Sequence, residues 1–128
     1  MVGQVNGTGV AAPASKGGLE IREHWIDTTI VLALTGALDM CTAPQLSEAI
    51  DIAMVQSPAT FIADLTQVDF LGSAGMNALV SAYHAFTPAA RFAVVADGPV
   101  TRRPLILIGL DKVLDIYPTL DDALLTLS

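Results

Sequence analysis

Four short apolar runs, set apart by stretches of helical spacing, decide what this chain can become. They are TIVLALTG (29–36), ATFIADL (59–65), RFAVVA (91–96) and VLDIY (113–117). The first three are apolar on both faces, which marks strands buried inside a sheet. Between the runs, Leu46, Ala49, Ile50 and Ala53 recur at helical spacing, with Glu48 and Asp51 facing away. Met76, Leu79, Val80 and Tyr83 make a second stripe. Strands alternating with helices imply a mostly parallel sheet with right-handed crossovers. Ahead of them, LEIREHWI (19–26) sets Leu19, Ile21 and Trp25 on one face, with Glu20, Arg22 and His24 on the other. That is a half-exposed edge strand, and Asp27-Thr28 can turn it into a hairpin with the next run. The expected fold class is α/β: one domain, a mixed, mostly parallel sheet with an antiparallel edge strand, in the order β-β-α-β-α-β-α-β-α.

Local signals place the helix ends. Thr42 with Gln45 forms a capping-box pattern, and Pro44 falls in the first turn, where its missing N–H is harmless. Ser57-Pro58 and Thr87-Pro88 stop the first two helices. Pro104 fits a helix only near its start, so a third helix is expected from Arg102 to near Gly109, with Thr101 as N-cap. TLDDALLTL (119–127) reads as a last helix, capped by Thr119, with Asp121 and Asp122 favoured by the dipole.

With 128 residues the chain is one domain, read as a flexible tail over residues 1–18 and a folded unit over 19–128. The run PLILIGL (104–110) is far short of the ~20 residues of a membrane helix. A net charge of −7 argues against nucleic acid and anionic lipid as partners. One cysteine, Cys41, forbids an internal disulfide and suits a reducing cytoplasm. No metal and no cofactor is expected.

In sheets of this kind the working loops follow the carboxyl ends of the parallel strands. Here those are GALDMCT (36–42), QVDFLGSAG (67–75) and DGPVT (97–101). Within the second, Ser73 stands between glycines at a strand-to-helix corner. A hydrolase elbow would need glycine at position 71, which is Leu71. His84 lies eleven residues on along the same helix, roughly 16 Å away. His24 is on an exposed strand face, so Ser73 has no base within reach. Serine is a common N-cap, and a helix N-terminus can also carry a phosphate without melting.

Two segments carry a family resemblance. LTGALDMCTAPQL (34–46) and ADLTQVDFLGSAGMNAL (63–79) resemble the signature regions of the STAS domain, and of bacterial anti-sigma factor antagonists within it. Thr35, Gly36, Leu38 and Asp39 match a turn after the second strand, and Asp64-Leu65 match a strand end. The phosphorylated serine of that family falls on Ser73. GPVTRRPLILIGLDKVLDIYPTLDDAL (98–124) resembles the end of actinobacterial, mycobacterial-type members of stress-sigma pathways. The family's usual acid before the serine is Gly72 here, and its second serine is Ala74. The resemblance implies a cytoplasmic binding module rather than an enzyme. Its partner would be an anti-sigma factor that is itself a serine kinase, with a PP2C-type phosphatase to reset the switch. The implied contact surface comprises Asp39, Met40, Cys41, Thr42, Asp69, Gly72, Ser73, Ala74, Gly75, Met76, Gly98, Pro99 and Val100.

Other readings stand beside this one. Ser73 or Asp64 could be the covalent acceptor of a small α/β enzyme, and Asp39 with Asp64 could form a receiver-like acidic pair. Receivers, however, join their first two strands by a helix, whereas a hairpin is expected here. Cys41 has no basic neighbour to activate it. Arg102 and Arg103 could bind phosphate, although such pairs are usually solvated. Trp25 and Tyr83 are expected in the core.

Overall fold

In a computed structural model, which describes residues 18–127, five strands form one sheet in the order β1-β2-β3-β4-β5. The tail expected over residues 1–18 lies outside the described residues, apart from Gly18. Strands β1 (Leu19–Ile26) and β2 (Thr29–Leu38) pair antiparallel as the expected hairpin, turning at Asp27, which has a positive φ of 56°. Strands β3 (Thr60–Leu71), β4 (Arg91–Val95) and β5 (Asp115–Tyr117) follow in parallel. The helices are α1 (Ala43–Val55), α2 (Ser73–Phe86), α3 (Arg102–Leu107) and α4 (Leu120–Leu127). A 3-10 turn, Leu110–Lys112, follows α3. The expected order and the antiparallel edge are both present.

Two apolar clusters explain the layering. On one face of the sheet, Ile30, Leu32, Leu34 and Phe61 pack with Leu46 and Ile50 of α1 and Leu79 of α2, all essentially without exposure. Each such side chain contributes about 1.5–3 kcal/mol by leaving water. Phe61 stacks on Phe92 with ring centroids 4.8 Å apart, and Tyr83 meets Phe92 edge-on at 6.3 Å. On the opposite face, Val31, Ile62, Ala93 and Val95 are covered by Ala123 of α4. This explains why the middles of the central runs, such as Ile30 to Leu34 and Phe92 to Ala96, are apolar at every position.

Several local expectations change. β3 runs on through Thr66, Gln67, Val68, Asp69 and Phe70, so the expected loop there is strand. Thr35 and Gly36 belong to β2, beside shifts in its register with β3, rather than to a turn after it. Gly36 has φ +111°, and a Cβ there would collide with the Gly18 carbonyl oxygen. Trp25 is 40% exposed on the edge strand and is not core. Tyr83 packs against the core as expected. Thr119 does cap α4, accepting from the Asp122 N–H at 3.0 Å.

Candidate functional site

The ends of β2 and β3 lie side by side, with Leu38 paired to Leu71. Each strand then breaks into a helix, and a hydrogen bond joins the two corners: Gly72 N–H donates to the Leu38 carbonyl at 3.0 Å. The close approach continues one turn into α2. A Cβ on Gly75 would lie 2.6 Å from Leu38 Cγ, so a side chain there would push the corners apart.

The first corner is rigid. Asp39 Oδ1 accepts from the N–H groups of Cys41 and Thr42, at 2.9 and 3.0 Å. Thr42 Oγ1 donates to the Ala37 carbonyl at 2.8 Å and accepts from the Asp39 N–H at 2.9 Å. Thr42 is therefore at the N-cap position of α1 but does not cap with its side chain. Gln45 reaches back to the Leu19 carbonyl at 3.1 Å instead. The expected capping box is replaced by a clasp between Asp39 and Thr42. Asp39, expected as a surface acid, is half-buried and holds the loop's backbone.

At the second corner Gly72, not Ser73, is the N-cap of α2, and Ser73 is the first helical residue, exposed to solvent. A helix leaves its first N–H groups without internal partners and carries partial positive charge at that end. A phosphate on Ser73 would sit in that field. His84 lies near the far end of the same helix, against Tyr83, and His24 is exposed on β1. Asp64 accepts from Thr66 N–H at 3.0 Å and Thr66 Oγ1 at 2.8 Å. It clasps the bulge where β3 gains a residue over β2, from the Ala33–Asp64 pair to the Thr35–Gln67 pair. That gives Asp64 a structural task.

The thirteen residues expected at a contact surface thus separate. Met40, Cys41, Asp69 and Ser73 are exposed around the joined corners, with Gly72 and Ala74 half-buried among them. Thr42, Gly75 and Met76 are buried and shape the corners from beneath. Gly98, Pro99 and Val100 are exposed, but their loop leaves β4 just after the Asp64–Val95 pair. β3 continues beyond that level for at most about 20 Å of extended chain. Phe70 is a residue the sequence reading missed. It is 53% exposed near the end of β3, paired with Ala37 of β2, and Met40 in the loop after β2 is 76% exposed. The polar run Thr66-Gln67 and Asp69 was the available signal that this end of the strand leaves the core.

A three-layered α/β domain with this sheet order and these paired corners is a STAS domain: the family model "STAS domain" matches residues 21–123, and the chain belongs to that family. Within it, the anti-sigma-F factor antagonist RsfB of Mycobacterium tuberculosis is 43% identical over 94 residues, 73% of this chain and 77% of that protein. The anti-sigma-B factor antagonist of Listeria monocytogenes is 32% identical over 65 residues, 51% of this chain and 56% of that one. A crystal structure of an anti-sigma factor antagonist from Mycobacterium paratuberculosis has a TM-score of 0.82 at 42% identity, covering 91% of this chain and 97% of that one.

Proposed function

We propose that this protein is a cytoplasmic anti-sigma factor antagonist, switched by phosphorylation of Ser73. The observation that carries the reading is the exposed Ser73 at the first position of a fourteen-residue helix, on a corner hydrogen-bonded to a second, rigid loop. The identity to relatives named as antagonists supports the same class. The protein is the substrate of its partner, an anti-sigma factor with serine kinase activity, and not itself the catalyst. Unphosphorylated, it binds that factor through Met40, Cys41, Asp69, Gly72 and Ser73, and so frees a sigma factor.

Phosphorylation adds about −1.5 to −2 charges at the centre of that surface. The helix N-terminus tolerates the phosphate, so the fold stays intact while the surface changes. Within a contact, the new charge brings a desolvation cost that the unmodified serine does not, which releases the partner. A PP2C-type phosphatase restores the binding form.

The test is to incubate the protein with its own anti-sigma factor and Mg-ATP and to measure intact mass and peptide mass. One added phosphoryl group on Ser73, absent in Ser73→Ala, supports the reading. Loss of the reaction without loss of binding would mean a constitutive antagonist. Loss of both would overturn the proposal.

A further inference from the structure

Gly72 stands directly before Ser73, and its backbone does not explain the choice of glycine. Its φ of −97° and ψ of 176° are extended values that any residue adopts. The neighbour does explain it. A Cβ on residue 72 would lie 3.1 Å from Cε2 and 3.5 Å from Cζ of Phe70. The aromatic ring lies over the glycine, in the space a side chain would fill. At that closeness the ring must give by a few tenths of an ångström before any side chain fits, and it is 53% exposed.

We propose that Phe70 and Gly72 form one specificity element: an exposed ring, seated on glycine beside Ser73, that anchors the partner by entering an apolar socket. The proposal rests on the antagonist reading above and names what the partner must present. Two observations and one general rule support it. Phe70 lies on the Ser73 corner, which is hydrogen-bonded to the corner that carries Met40, and both apolar side chains are exposed. Buried aromatic anchors dominate the binding energy of many interfaces. Asp69, next to the ring in sequence, is exposed as well. The occupant is therefore an anti-sigma factor face with an apolar socket, placed where the Ser73 corner docks.

The experiment is calorimetric titration of the full chain with its own anti-sigma factor. Phe70→Ala should bind at least tenfold more weakly, and Phe70→Leu should retain most of the affinity. Gly72→Ala crowds the ring by a few tenths of an ångström without adding charge and should weaken binding, though less than Phe70→Ala does. Trp25→Ala, an exposed aromatic on the far edge strand, should bind as the unaltered protein does. Thermal melts of each variant accompany the titrations, and the affinities of folded variants alone are compared. Should Phe70→Ala bind within twofold of the unaltered protein while Ser73→Glu loses binding, the anchor is overturned and the switch stands. Should Phe70→Ala weaken binding while Ser73→Glu does not, the anchor stands and the switch fails. No binding by the unaltered protein overturns both.

Discussion

Replacing Thr42 by valine tests the clasp that holds the first corner. The exchange keeps the shape of the side chain and removes only the hydroxyl. Thr42 has no exposed surface, and its Oγ1 serves the Asp39 N–H at 2.9 Å and the Ala37 carbonyl at 2.8 Å. Both partners are then stranded. A hydrogen bond contributes about 1 kcal/mol net, and a buried group left unpaired costs about 1–3 kcal/mol. The loop can relax toward water on the Met40 side, so the lower part of that range applies to each group, about 2–3 kcal/mol together. For a domain of this size the loss corresponds to a fall in Tm of about 10 °C. Urea and thermal melts measure it. Thr42→Ser is the discriminating control. It removes a buried methyl, about 0.8 kcal/mol, but keeps the hydroxyl. If valine costs less than serine, the clasp is not what holds the corner and the reasoning is refuted.

Three further outcomes follow from the packing. Gly36→Ala should destabilise by about 2 kcal/mol or more, because alanine is strained at φ +111° and its Cβ meets the Gly18 carbonyl; a chemical melt reads this. Phe61→Ala should cost about 3–5 kcal/mol, since the ring is fully buried and stacked on Phe92, and a urea midpoint near that of the unaltered protein would contradict it. Thr119→Ala should cost about 1 kcal/mol through loss of the α4 cap, seen as faster amide exchange at Asp122 and Ala123.

The strands and the order of elements along the chain were legible because burial on both faces keeps the middles of TIVLALTG and RFAVVA, Ile30 to Leu34 and Phe92 to Ala96, apolar at every position. The hairpin was legible because LEIREHWI alternates as an edge strand must. The far half of β3 was not. Its residues pair with β2 but lie beyond β4, so one side is open and polar residues are tolerated, which reads as loop. Trp25 was misplaced for a related reason. On an edge strand, alternation shows which side faces the sheet but not how far the neighbouring helix reaches to cover it. The Thr42–Gln45 pattern matched a capping box, yet both side chains found longer-range partners, Ala37 and Leu19, which sequence spacing cannot reveal. At the candidate site, Ser73 and its corner were legible as motif and position. The one-residue shift of the cap to Gly72 was not, nor was the reason for that glycine. The ring of Phe70 lies over it only because the strand extends that far.

The central claim is that one phosphate on Ser73 separates a binding form from a released form of the same fold. The direct measurement is the affinity of the unmodified and the Ser73-phosphorylated protein for its anti-sigma factor, side by side, with circular dichroism of each. A charge left unpaired in an interface costs on the order of 2–3 kcal/mol, or roughly 30- to 150-fold in affinity. The account predicts a loss of that size with unchanged spectra. Equal affinities, or a loss accompanied by unfolding, would contradict it.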